Sequence, residues 1–128
     1  MPEPKLTLTL LASKLGICRL PADAAIPAWL AGEFVSVTRT ADELAVVCRV
    51  DAVPDGVRCE KGWRCFRVAG TLDFALVGVL ASLVGPLAEA GVSVFAVSTF
   101  DTDYLLVKEA NLERAVGALG TAGHCVQR

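Results

Sequence analysis

Histidine is almost absent from this 128-residue chain: His124 stands alone. Nucleophilic catalysis needs a serine or cysteine beside a base. The neighbour of His124 is Cys125, which a strand would direct to the opposite face. The sequence also lacks G-x-S-x-G, G-x-x-x-x-G-K-[ST] and G-x-G-x-x-G, which removes the usual nucleophile elbow, phosphate loop and dinucleotide fingerprint. No C-x-x-C occurs. The five cysteines, Cys18, Cys48, Cys59, Cys65 and Cys125, are odd in number and fit neither a disulfide framework nor a common zinc site. They read as small apolar fillers. There is no basic surplus, with 12 basic against 14 acidic side chains and a net charge of -2, so no nucleic-acid surface is expected. No apolar run reaches the roughly 20 residues of a membrane span. The longest uncharged stretch, Phe74 to Ala88, holds Gly78, Gly85 and Pro86 and reads as a buried helix with a broken last turn. The start, Met1 to Lys5, has none of the parts of a secretory signal. The expectation from these absences is a cytoplasmic, non-catalytic protein without metal, cofactor, nucleic acid or membrane.

What is present is apolar: 54% of residues are hydrophobic and 20% charged, which excludes intrinsic disorder. The length suits one ordinary domain or two very small ones. The apolar excess is unevenly placed. From Phe66 to Phe100 the only charged residues are Arg67, Asp73 and Glu89.

Alternation of threonine and leucine predicts a strand over Lys5 to Ala12, closing a hairpin through Ser13-Lys14 onto a second strand, Leu15 to Leu20. Ala22 to Ala31 is expected to hold a short helix with Pro27 near its first turn. Phe34 to Thr40 and Leu44 to Val50 read as strands around a polar turn. Asp51 to Gly62 reads as a loop broken by Pro54, Gly56 and Gly62. Trp63 to Ala69 is the next strand, and Trp63 is assigned to the core. Asp73 is a candidate N-cap for a helix with Val77, Leu80, Ala81, Val84 and Leu87 on one stripe. Val92 to Thr99 and Tyr104 to Lys108 are strands. Asn111 is expected to cap a second helix that buries Leu112, Ala115, Val116 and Leu119 and ends at Gly120 or Gly123. His124 to Gln127 is a last short strand. From Trp63 onward the order is β-α-β-β-α-β, the ferredoxin-like split unit. Its second strand lies at an edge, is long and uncharged, and calls for a partner. A shift of sixty residues lays Val37 on Val97, Glu43 on Asp103 and Leu44 on Tyr104. The expected organisation is therefore a reduced unit over 1–60 and a complete one over 61–128. The fold class is α+β, with helices on one face and the two antiparallel sheets side by side through Phe34–Thr40 and Val92–Thr99.

Particular segments resemble a known family. They are Glu33 to Thr40 with Glu43-Leu44, Gly62-Trp63-Arg64, Gly70 to Phe74, Gly78 to Ala81, Pro86 to Ala88, and Ser98 to Tyr104. Together they resemble the ACT domain, and most closely the paired-ACT family of the CASTOR type, which has small bacterial members. The more familiar ACT pattern puts an aspartate three residues before the helix glycine; here Asp73 stands five before Gly78. The resemblance implies a non-catalytic sensor that binds an amino acid at the seam between ACT units. It implies ligand contacts at Thr71, Asp73, Phe74, Gly78, Val79, Ser98, Thr99, Asp101 and Asp103. It places the guanidinium-binding aspartate of the family's arginine sensors near Asp103, which points to a basic ligand. It also implies a homo-oligomer and a regulated protein partner, which the length of the chain leads us to expect as a separate protein.

The chemistry of these residue types agrees. An amino acid's carboxylate suits a helix N-terminus, where backbone N–H groups lack partners and the dipole is favourable. Gly78 allows close backbone approach there. The ammonium suits strand-end carbonyls and the carboxylates of Asp101 and Asp103. Each residue also has a structural reading: Asp73 as a cap, Gly78 as a close-packing position, Asp101 and Asp103 as turn formers, Ser98 and Thr99 as edge residues. The competing function is an assembly module whose apolar edge strand serves only dimerisation.

Overall fold

The structure, a computed structural model, describes residues 5–70 and 78–128. The chain divides into two compact units. Residues up to Ala12 join Arg64–Arg128 in one, and Ser13–Trp63 form the other. The first contains both α-helices and is called the helical unit; the second is the strand unit.

In the helical unit, β1 (Thr7–Leu10) pairs antiparallel with the second half of β5 (Arg58–Val68), Leu8 opposite Val68 and Leu10 opposite Phe66. Its other edge pairs in parallel with β8 (Cys125–Gln127), Thr7 opposite Cys125. β6 (Val94–Ser98) pairs antiparallel with β7 (Asp103–Lys108), and β7 also pairs with β5. The order is thus β8-β1-β5-β7-β6. The βαββαβ order expected from Trp63 onward is present, with β1 inserted between its first and last strands.

Helices α1 (Val79–Glu89) and α2 (Leu112–Thr121) cover one face of these strands. The shared core holds Leu8, the alternate pairs Phe66/Val68 and Leu105/Val107, Leu83 and Leu87 from α1, and Leu112, Ala115 and Leu119 from α2. Period two on the strands and spacings of three and four on the helices meet on that face. Phe66 is fully buried, and truncating it to alanine would cost about 3–5 kcal/mol.

The stripe of α1 differs from the expected one. Val79, Ser82, Leu83 and Leu87 are its buried residues, Leu80 and Val84 flank them, and Ala81 is exposed. Val77 lies outside the described residues. The helix also continues through Pro86 to Glu89 rather than breaking. Proline has no N–H, so the carbonyl four residues earlier, that of Ser82, loses its helical donor. His124 replaces it, with Nε2 2.9 Å from Ser82 O. The Leu6 amide donates to His124 Nδ1 at 3.1 Å, which assigns the proton to Nε2. The lone histidine is thus a buried clamp joining β1's entry, α1 and β8, while Cys125 is exposed. Of the two glycines proposed to end α2, Gly123 does so, just past the C-cap Ala122, where the His124 amide reaches Leu119 O at 3.0 Å. Asn111 is the N-cap position but makes no side-chain capping bond.

In the strand unit, β2 (Leu15–Leu20) lies between β4 (Leu44–Arg49) and the first half of β5, antiparallel to both. β3 (Ser36–Arg39) pairs with β4. Cys18, Leu44 and Val46 form its core, with Leu20, Trp29, Leu30 and Val53 packed against them.

Several expectations change. β1 ladders with β5 and β8, and β2 with β4 and β5, so consecutive β1 and β2 are not a hairpin. The two expected edge strands each ladder within their own unit, β3 with β4 and β6 with β7. β5 is eleven residues long and starts at Arg58, inside the segment expected to be a loop. Gly62 is a bulge, not a breaker: the register slips by one residue opposite Leu15–Ile17, and Gly62 takes φ +84 there. Ala22–Ala31 is not helical. The Arg39 guanidinium donates to the carbonyls of Ala22 and Ala24, the latter at 2.7 Å, so those groups hold an irregular segment against the sheet. Among the described residues no helix is long and apolar enough to cross a membrane.

Candidate functional site

The candidate site is the end of the β6–β7 hairpin. Ser98 and Asp103 are the last opposed pair of the ladder. Ser98 Oγ donates to Asp103 Oδ1 at 2.6 Å. The bond holds one carboxylate oxygen and leaves further acceptor capacity on Asp103, which is half-buried. Thr99 has a different job. Its amide and hydroxyl both donate to Thr102 O, at 2.9 and 3.0 Å, and its Oγ1 accepts the Thr102 amide at 3.3 Å. Thr99 therefore closes the turn. Asp101 is exposed in that turn, and Phe100 at the tip is 78% exposed.

Thr102 was not singled out by sequence, yet it positions the site. It is buried, and its Oγ1 donates to Val68 O at 2.7 Å. That bond pins the hairpin turn to the end of β5, where the chain departs through Gly70 toward α1. A threonine between two aspartates in a turn carries no local sign of this; the partner is thirty-four positions away.

Gly78 is the N-cap of α1, with φ +80 and no side-chain capping bond. A Cβ at Gly78 would meet nothing within 4 Å. Its glycine is thus required by backbone conformation, not by close helix–sheet packing. Val79 is buried. Thr71, Asp73 and Phe74 lie outside the described residues; the cap of α1 is Gly78 rather than Asp73.

The structure thus brings Ser98, Thr99, Asp101 and Asp103 into one turn and sets Gly78 and Val79 at the start of α1. An open groove of about 360 Å³ lies at the other end of α1, between Pro86, Glu89 and Ala90 and residues Ala118, Thr121 and Ala122 of α2. None of the predicted contacts among the described residues lines it. Among the described residues no group of three or more His, Cys, Asp or Glu side chains could hold a metal ion.

A family model described as an ACT domain matches residues 58–121. A second model, described as an N-terminal domain, matches residues 13–56. The cytosolic arginine sensor for mTORC1 subunit 1 of Homo sapiens is 38% identical over 58 residues, which are 44% of this chain and 18% of that protein. The match therefore spans a small part of that relative's length. A solved protein from Agrobacterium tumefaciens is 45% identical with a TM-score of 0.92, covering 96% of this chain and 92% of that one. The regulatory subunit of aspartate kinase from Thermus thermophilus has a TM-score of 0.60 at 12% identity, covering 91% of this chain and 93% of that one, a likeness of fold alone.

Proposed function

The chain belongs to the ACT-domain family, and from that premise we propose that it is a non-catalytic regulatory protein that binds an amino acid beside the β6–β7 hairpin end. The observation that carries the reading is the Ser98–Asp103 pair, a carboxylate oriented by a hydroxyl at 2.6 Å on an open strand end. Asp103, with Asp101 beside it, meets a ligand cation. The first turn of α1, whose N-cap Gly78 makes no side-chain capping bond, meets the ligand carboxylate through backbone N–H groups. Thr71, Asp73 and Phe74 complete the contacts. A basic amino acid fits two aspartates best, and a relative named as an arginine sensor supports that choice.

The protein acts in the cytoplasm on a separate regulated partner. It is a homo-oligomer in which the edge strand β6, laddered on β7 in its own chain, takes part.

A thermal-shift screen of the twenty amino acids tests the reading. A ligand at a hundred times its Kd adds about 2.7 kcal/mol of stability. The expected result is a raised Tm with a basic amino acid and little change with the rest. No shift with any amino acid at millimolar concentration would leave the protein an assembly module with no small-molecule ligand.

A further inference from the structure

Of the five free cysteines, Cys18, Cys48 and Cys59 lie in the strand unit. Cys18 on β2 is directly opposite Cys59 on β5 in an antiparallel ladder. Directly opposed residues have Cα atoms about 4.5 or 5.5 Å apart and side chains on one face. Disulfides span Cα separations of about 4.4–6.8 Å. Cys59 packs against the core cluster that contains Cys18. Gly16, two residues before Cys18 on the same face, makes the room: a Cβ there would stand 2.6 Å from Cys59 Sγ. We propose that Cys18 and Cys59 are a reversible dithiol–disulfide pair, a cross-strand staple closed by low-molecular-weight disulfides of the glutathione class.

The exposure of the two sulfurs sets the order of events. Cys59 is partly exposed and Cys18 is 2% exposed. The oxidant, RSSR, is therefore met by Cys59. The Cys59 thiolate attacks one sulfur of RSSR, the S–S bond breaks, and RS⁻ leaves and takes up a proton. Cys59 then carries a mixed disulfide. Cys18 gives its proton to water and attacks the Cys59 sulfur, and the second RS⁻ leaves and is protonated. Two protein thiols become one disulfide, and one RSSR becomes two RSH. Burial first, then the neighbouring Cys59 sulfur, pushes the Cys18 thiol up to about 12. Cys48 shares the face of these two residues but is not directly opposed to either thiol: it lies opposite Gly16 on β4, where Cys18 faces Val46, and its Sγ contacts Arg49 O at 3.5 Å. Cys59 is partly exposed, and exposed disulfides are the labile, reducible ones.

The test uses the full chain with Cys125→Ser, which removes the exposed thiol that would link two molecules. The protein is equilibrated with glutathione disulfide, quenched, denatured, alkylated and mapped by peptide mass. The expected product has lost two hydrogens and two alkylatable thiols, and yields a linked Cys18–Cys59 peptide pair that dithiothreitol reverses. In Cys18→Ser the reaction should stop with one glutathione on Cys59, and Cys59→Ser should leave Cys18 reduced. Four results would overturn the proposal: both thiols remaining alkylatable, a link through Cys48, glutathione persisting on Cys59 while Cys18 is present, or a link that dithiothreitol cannot reduce.

Discussion

In the β3–β4 hairpin, Thr40 Oγ1 accepts the amides of Asp42 and Glu43 at 3.1 and 3.2 Å, and the Thr40 amide donates to Glu43 O at 2.9 Å. In the β6–β7 hairpin, Thr99 Oγ1 accepts the Thr102 amide, and the Thr99 amide donates to Thr102 O at the same 2.9 Å. The turns match, and so do the strands that leave them. Leu44–Arg49 is buried in the same rhythm as Asp103–Lys108, differing at the first and last residues. The chemistry of the closing pair does not match. Arg39 opposes Leu44 in one hairpin, and Ser98 opposes Asp103 in the other. Leu44 is fully buried in the strand-unit core, and Arg39 is spent on the carbonyls of Ala22 and Ala24. Asp103 and Ser98 have only each other among the hydrogen bonds described above. One backbone device thus serves as a structural clasp in the strand unit and as an open polar end in the helical unit.

Exchanging the first residues of β4 and β7 is the most severe way to break this comparison. Leu44→Asp puts an unpaired charge into a core and should destabilise by about 4 kcal/mol or more. Asp103→Leu loses one hydrogen bond at a half-exposed position and should cost about 1 kcal/mol. Urea denaturation of both variants measures the contrast; equal losses would mean that the two ends are not chemically distinct.

The clamps that hold each unit form the next comparison. His124→Ala leaves Ser82 O without its donor and the Leu6 amide without its acceptor in a buried place, and should cost about 2–3 kcal/mol. Adding Pro86→Ala supplies a helical N–H for Ser82 O, so the double variant should recover about 1 kcal/mol of that loss. Strict additivity in a double-mutant cycle would show that the histidine does not answer the proline. Thr102→Val removes the buried bond to Val68 O and should cost about 1–2 kcal/mol by the same measurement. Its counterpart in the strand unit, Glu43, is half-buried and joins its turn through its backbone N–H and C=O, so Glu43→Val should fall within about 0.5 kcal/mol of the parent chain.

A dependence on pH also distinguishes the units. The Cys18 thiol keeps its proton in the folded strand unit up to about 12, whereas the unfolded chain releases it near 9.0. The folded state then binds more protons than the unfolded state, so stability is full below 9.0 and falls as pH rises toward 12. Burial raises the Cys48 thiol in the same direction. Urea unfolding across this range should show a decline that Cys18→Ala makes shallower; an unchanged slope would remove Cys18 as the cause.

Much of this was legible in the sequence because it is periodic. The bounds of β2, the buried face of α2 and the βαββαβ order follow from alternation and helical spacing. The hairpin match was legible only nearly. A shift of sixty lays Leu44 on Tyr104, whereas the ladders end on Arg39–Leu44 and Ser98–Asp103, a shift of fifty-nine. One residue of register reverses the faces of a strand, and it decides that Asp103 corresponds to a buried leucine. The rest rests on distant partners. Nothing near Ala22 announces that Arg39 will take its carbonyl. Pro86 in a helical stripe signals an orphaned carbonyl at Ser82, but the donor at position 124 comes from the far end of the chain. Thr102 reads as a turn residue until Val68 is placed beside it. For the site, the Ser98–Asp103 run was visible through its resemblance to a family, while the division of labour between Ser98 and Thr99 required the hydrogen bonds.

Isothermal titration of L-arginine into the chain and into Asp103→Asn tests the central claim most directly, with circular dichroism verifying that the variant is folded. The account predicts saturable binding to the parent chain, tighter than that of L-alanine, and an affinity at least about tenfold weaker in the variant, equivalent to about 1.4 kcal/mol. Equal affinity in the two proteins would contradict it, as would an arginine affinity no better than that for alanine.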